Sequence, residues 1–448
     1  MTNAESSNAP ASQPDRWDRL FQTGFQVGTL LLCCQLGMLF AAMDSPPYRM
    51  TRDALTALHA LRDQMGLKNQ TYSGDTWGIE PQATRGVTIH IPERSQPGGT
   101  LFGSTHEHYV RLIDADGKVL HQWGRPYREL FQGRPGFDAW MGEMDAFVRR
   151  SQVFPNGDLL ALYETSMTTP NGLGLVKFDK DSNVLWQLDR RTHHDFTTDE
   201  QGMIFVLTQT ICGEPHPAFP KLTTPYIDDS LSIVSPEGVE LQSFSLLDVL
   251  GKSQFARPRT MLMYGDGDAL HSNTVQVVTA EFAAHHSGLE AGDLLVCLRN
   301  LNLLVAIRPA TEEVVWGTTG PWHHPHDPNI LPNGNLLIFD NCYAQGTVAG
   351  SRVIEFNPRT HGIEWEFGAT ESFRFRSDVR ACQQRLPNGN TLITESDRGR
   401  LREVTREGEL VWEFVQPHTG GPDQNLVPVI MGATRVDLEP LVFLNEAE

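Results

Sequence analysis

His326-Asp327-Pro328-Asn329-Ile330-Leu331-Pro332-Asn333-Gly334-Asn335-Leu336-Leu337-Ile338-Phe339-Asp340-Asn341 contains a turn that recurs along the chain. Its central part, Leu331-Pro332-Asn333-Gly334-Asn335-Leu336-Leu337, returns as Phe154-Pro155-Asn156-Gly157-Asp158-Leu159-Leu160 and as Leu386-Pro387-Asn388-Gly389-Asn390-Thr391-Leu392. Asp199-Glu200-Gln201-Gly202 is a degenerate fourth copy. Proline presets φ and Asn-Gly tolerates the positive φ of a tight turn, so each copy predicts a hairpin.

A second half-repeat lies downstream of each turn. Residues 110–123, 175–186, 231–244, 304–316, 353–365 and 401–412 each read as an apolar strand, a polar turn and a strand ending in an aromatic residue. Those residues are Trp123, Trp186, Phe244, Trp316, Trp365 and Trp412. Leu401-Arg402-Glu403-Val404-Thr405-Arg406-Glu407-Gly408-Glu409-Leu410-Val411-Trp412 shows the period-two alternation of half-buried strands. Six units spaced by roughly 45 to 75 residues are what a six-bladed β-propeller requires, whereas a solenoid needs shorter, more even spacing. The expected class is all-β, with one N-terminal transmembrane helix in addition.

That helix is read from residues 25–43, which hold no charged side chain and are about long enough to cross a bilayer. No good small-x-small cleavage site follows, so an uncleaved anchor is expected rather than a removed signal peptide. Arg16 and Arg19 before it are matched by Arg49 and Arg52 after it, which leaves orientation undecided by charge. The expected organisation is a polar leader at 1–24, the anchor at 25–43, a linker helix and wrapping loop at 44–96, and the propeller at 97–448.

The formal net charge of −19 disfavours nucleic acid or an anionic lipid surface as the main partner, since both repel it. An anionic small molecule remains admissible, because a few local cations outweigh distant diffuse charge. The six cysteines include no C-x-x-C pair, which gives neither a zinc knuckle nor a disulfide framework; buried inert thiols are expected for all six.

Registering the repeats on the turn glycine places Arg149, His194, His326 and Ala381 at the position eight residues earlier, and His271 precedes a strand in a similar setting. In a propeller such positions converge on the central channel. His121, His285, His286, His361 and His418 are expected to cap or pack. Three converging imidazoles are a possible metal site. Arg299, at the end of the strand after His271, instead suits a tetrahedral oxyanion, because a guanidinium repels a divalent cation and grips sulfate or phosphate through paired hydrogen bonds.

His271-Ser272-Asn273, Leu298-Arg299-Asn300, the His326 to Asn341 run and Arg385-Leu386-Pro387-Asn388-Gly389-Asn390-Thr391-Leu392-Ile393 together resemble the bacterial arylsulfate sulfotransferases. The resemblance covers roughly residues 97–440, and Phe339-Asp340-Asn341 is its most specific part. It implies a six-bladed propeller outside the cytoplasm that moves a sulfuryl group from an aryl sulfate donor to a phenolic acceptor, with no cofactor and no metal. It implies His326 as the nucleophile that becomes a sulfohistidine, with His194, His271, Asn273 and Arg299 holding the sulfuryl oxygens. Where the family carries a small hydroxyl residue this chain has Arg380-Ala381-Cys382, and Arg380 is the expected substitute contact. Asp327 and Asp340 are candidates to orient His326, and Trp140, Trp322 and Tyr343 to line the acceptor site. A metal-dependent propeller hydrolase or lactonase and a non-catalytic ligand-binding propeller are the rival readings.

Overall fold

The Pro-Asn-Gly segments fold as expected, with one refinement. In each, the glycine N–H returns to the carbonyl three residues back, as from Gly157 to Phe154, Gly334 to Leu331 and Gly389 to Leu386. Only the glycines take positive φ, at 87°, 82° and 87°. This is a type I turn with proline second and a left-handed glycine fourth, so the asparagine is spared the strained conformation.

A computed structural model describes residues 76–80, 84–131, 146–166, 168–256, 267–345 and 348–446, with Gly28, Thr29 and Gln35. Its main sheets are six antiparallel blades. Counted from Ala146, their innermost strands are Ala146–Val153, Thr192–Thr198, Ser272–Val277, His326–Ile330, Cys382–Arg385 and Ile430–Val436. Each innermost strand neighbours the next and the sixth neighbours the first, which closes a ring around an axis. The six half-repeats read from the sequence are the outer hairpins of these blades.

The aromatic residues that end those hairpins join one blade to the next. The indole N–H groups of Trp123, Trp186, Trp365 and Trp412 donate to the carbonyls of Gly157, Pro236, Arg406 and Ala115, each in the following blade. Phe244 has no such donor, and the helix Leu246–Lys252 packs across blades two and three instead. At the next junction His286 packs against Trp316, with ring centroids 5.5 Å apart, and bonds the Gly334 carbonyl at 2.8 Å. The apolar cores therefore lie between blades, as where Leu160, Leu162 and Leu175 meet Phe196 and Val206.

The ring is closed by strands distant in sequence. Ile430–Val436 pairs with Gly99–Ser104, which continues to Val110–Ile113 and Val119–Trp123. The segment 67–95, read as loop, contains two strands in its described part. Trp77–Ile79 pairs with Leu426–Pro428, and Gly86–His90 adds a fifth strand to the blade of Cys382. These edge pairings use backbone groups that a loop would leave to water.

The expected anchor at 25–43, the linker helix over 49–65, Cys33, Cys34 and Trp140 lie outside the described residues, apart from Gly28, Thr29 and Gln35. Among the described residues no helix is long and apolar enough to cross a membrane. Of the other cysteines, Cys297 and Cys382 are buried as expected, but Cys212 is only half-buried and Cys342 is exposed. Cys342 follows the buried run of residues 336–341 and falls at the register shift between Asp340 and Tyr343.

Candidate active site

The innermost strands break register near the axis. Bulges or irregularities fall between Val148 and Arg150, Thr192 and Phe196, Ser272 and Thr274, His326 and Asn329, and Ile430 and Gly432. A bulge bends a strand and re-aims a side chain. Ten described non-glycine residues have positive φ, and His194, His271, Asp327 and Ala381 are four of them. Such strain persists where surrounding structure imposes it, often at functional sites.

Two adjoining cavities result. The wider, about 330 Å³, is lined by Arg149, His194, His271, Arg299 and Arg380, with Phe147, Val379 and Met431 as apolar wall. The deeper is lined by Arg149, His194, Asn273, His326 and Ala381. Arg149, His194 and Met431 line both, and His194, His271, Asn273, Arg299, His326 and Arg380 each border one or the other. Beneath it Arg150 pairs with Asp195 at 3.1 Å and Asp327 at 3.7 Å, forming a floor toward the opposite end of the axis.

His326 is buried, and its Nδ1 lies 2.7 Å from Oδ1 of Asn341. The Asn341 amide nitrogen donates to the carbonyls of Ser377 at 2.7 Å and Arg380 at 2.6 Å. Both amide hydrogens are thereby used, so Oδ1 accepts, Nδ1 carries the proton, and Nε2 keeps its lone pair. Nε2 is buried with no hydrogen-bond partner among the described residues. Burial, then the charges of Arg149 and Arg299, hold the His326 pKa well below the usual imidazole range. The ring is neutral near pH 7.

Of the candidates to orient His326, neither Asp327 nor Asp340 does so. Asp327 accepts from Gln383 N and faces Arg150, while Asp340 pairs with Arg352 and the His323 N–H. Alternation along the strand sends Asp340 to the opposite face from Asn341.

The other imidazoles form a chain. His194 and His271 meet edge to face with centroids 4.9 Å apart. His193 Nδ1 and His194 Nδ1 are 2.9 Å apart, so one donates to the other. Burial, then the charge of His271, depresses both, His193 to about 3. His271 Nδ1 lies 2.5 Å from Asp268. Burial opposes ionisation of Asp268, but the His271 bond and charge outweigh it and hold the carboxyl below its usual value. Glu164 accepts from His194 N at 2.5 Å, and burial pushes its carboxyl up. Asn273 Nδ2 donates to Pro325 O at 2.8 Å beside His326.

Trp322 and Tyr343 do not line this recess. Trp322 is a core residue packed on Phe356 and donating to Asn302 O, and Tyr343 lies under Arg352 in a separate groove between blades four and five. The reading missed four participants. Arg149 stands at the matching repeat position, Asn341 ends the distinctive run, and Asp268 lies three residues before His271. Glu164 carried no local signal.

A propeller whose axial recess gathers imidazoles and guanidiniums around one bare ring nitrogen is the class that fold and site define. The arylsulfotransferase (ASST) family model matches residues 150–417, more than half of the chain, and the chain belongs to that family. No curated protein sequence matches it. Similar solved structures include a protein of unknown function from Bacteroides caccae, 14% identical over 75% of this chain and 98% of that one, with a TM-score of 0.47. A streptogramin B lyase is 10% identical, covering 81% of this chain and 97% of that one, with a TM-score of 0.39.

Proposed function

We propose that the protein is a nucleotide-independent aryl sulfate:phenol sulfotransferase in which His326 carries the sulfuryl group between donor and acceptor. The observation that carries this reading is the buried, unpartnered Nε2 of His326, with its tautomer set by Asn341 and with Arg149, Arg299, His194 and His271 around it. A neutral imidazole held that way is a nucleophile, and the guanidiniums stabilise charge on sulfuryl oxygens.

In the first half-reaction Nε2 attacks sulfur, the Nε2–S bond forms, and the bond from sulfur to the aryl oxygen breaks. Its electron pair leaves on the phenolate oxygen. His271, held by Asp268, acts as the general acid and supplies the proton that makes phenol. The acceptor phenol then returns a proton to His271, its oxygen attacks the same sulfur, and Nε2 regains its lone pair. The Phe147, Val379 and Met431 wall offers apolar surface for the aromatic rings. His194, Asn273 and Arg299 hold the sulfuryl oxygens, and Arg380 at the rim faces the substrate.

The metal-hydrolase alternative is disfavoured by the same electrostatics. Burial is the main cause of the His326 depression, and the charges of Arg149 and Arg299 that add to it oppose a divalent cation at that nitrogen. For location, our reading is a propeller tethered by residues 25–43, supported by the uncharged length of that stretch, and extracytoplasmic as the family resemblance implies. The decisive experiment is incubation with an aryl sulfate followed by peptide mass analysis. One sulfuryl mass on the His326 peptide, with one equivalent of phenol released before acceptor is added, is expected. An unmodified peptide with no phenol released would remove the proposal.

A further inference from the structure

Two other buried arginines, Arg400 and Arg402, are held by short bonds to carboxylates. Arg402 bonds Glu395 at 2.8 Å and Glu413 at 3.0 Å, and Arg400 bonds Glu80. Arg150, one residue from Arg149, reaches Asp195 at 3.1 Å. Arg149 differs. It is 8% exposed, yet its Nε lies 3.9 Å from Glu164 Oε2 and its Nη1 lies 3.8 Å from the Met431 sulfur. Neither contact is a strong hydrogen bond. Glu164 is instead turned to the backbone N–H of His194. A guanidinium taken out of water without a close carboxylate is costly unless something else uses its donors.

Its position says what that use is. Arg149 sits at the strand break that corresponds, blade by blade, to those of His194 and His326. It borders the wide cavity together with Arg299 and the deep one together with His326. Ala381, at the same repeat position three blades around from His194, has no side chain beyond Cβ, which leaves the deep cavity open between Arg149 and His326. Next to burial, Arg149 is the strongest influence depressing the His326 imidazole.

We infer that Arg149 is a catalytic residue of the sulfuryl transfer, donating N–H bonds to sulfuryl oxygens while sulfur passes between the aryl oxygen and His326 Nε2. This deepens the function proposed above and rests on it. As the Nε2–S bond forms and the S–O(aryl) bond breaks, the transferring group keeps its negative charge on three oxygens. Arg149 binds that charge from the deep side and Arg299 from the rim, and neither gains nor loses a proton. Planar paired donors fit two oxygens of one tetrahedral centre, which a lysine ammonium does not reproduce.

The experiment compares wild type, Arg149→Ala and Arg149→Lys in single turnover with 4-nitrophenyl sulfate, each variant checked for an unchanged melting transition. Removing one such donor is expected to slow phenolate release by about 10²–10³-fold. Millimolar guanidinium should restore a measurable part of the rate in Arg149→Ala but not in Arg149→Lys, whose ammonium occupies the space. The acid limb of the Arg149→Ala rate profile should also move up in pH, since a positive neighbour of His326 is gone. Wild-type rates in Arg149→Ala, or a folded slow variant that guanidinium does not rescue and whose acid limb stays in place, would overturn the inference. Inorganic sulfate titrated by calorimetry separates the two levels. If wild type releases no phenolate, the function fails, and the anion contact of Arg149 then stands only if sulfate binds at least about tenfold more weakly to Arg149→Ala; equal binding ends it.

Discussion

Asn341 Oδ1 and His326 Nδ1 lie 2.7 Å apart across two neighbouring strands, and the amide cannot flip without losing its bonds to Ser377 O and Arg380 O. The state of the ring is therefore dictated by backbone carbonyls that never touch a substrate. Asn341→Leu should lower the single-turnover rate by about 10²–10⁴-fold, the range seen when an imidazole loses its orienting partner. KM should change far less. Asn341→Asp keeps an acceptor and adds negative charge, so the acid limb of its pH profile should shift upward relative to wild type.

Replacement of His326 by alanine should abolish both the sulfuryl adduct and phenol release. Asp268→Asn is expected to leave the adduct intact but slow its formation by up to about 10²-fold, because His271 loses the carboxylate that holds its ring toward the leaving oxygen. Donors with more acidic phenols should be affected least. Rates measured across a series of substituted aryl sulfates test this.

The blade junctions make a stability prediction. Trp412 is fully buried, donates to Ala115 O and lies under Arg435 at 4.9 Å. Trp412→Phe removes the donor to the half-buried Ala115 carbonyl and should cost about 0.5–1.5 kcal/mol. Trp412→Ala should cost about 3–5 kcal/mol. Denaturant titration of each variant gives the values.

His106 links folding to pH. It is buried against His418, with centroids 4.5 Å apart, and burial first, then the charges of His418 and Arg111, lowers its pKa to about 3. The unfolded chain takes up this proton near pH 6.5 and the folded chain resists it. The group thus withdraws stability as pH falls from 6.5 toward about 3, by up to several kcal/mol. In His106→Gln, the loss of unfolding free energy between pH 7 and pH 4 should be smaller than in wild type.

The blade pattern was legible because each outer hairpin alternates in polarity and ends in a residue with a distinct duty, as Trp186 and Trp365 do at their junctions. The same pattern could not reveal the pairing of Gly86–His90 or Trp77–Ile79, since those short strands are stabilised by distant edges rather than by their own periodicity. In the site, His194, His271, Asn273, Arg299, His326 and Arg380 were accessible through repeat position and family resemblance. Asn341 was passed over for the aspartates beside it because a formal charge draws attention that a neutral amide does not. Only the sheet reveals which of three consecutive side chains faces the axis. Glu164 meets His194 through a different strand of another blade, a contact that no spacing rule encodes.

The pairing of Ile430–Val436 with Gly99–Ser104 has a consequence for biogenesis. Met431, on the later strand, is part of the wall beside His194 and Arg149. A ribosome that has made the first four hundred residues has delivered all the reactive side chains but not the latch that completes their enclosure. Nascent protein should therefore stay chemically silent toward aryl sulfates until synthesis passes residue 436, so that competence arrives in one step with the last sheet.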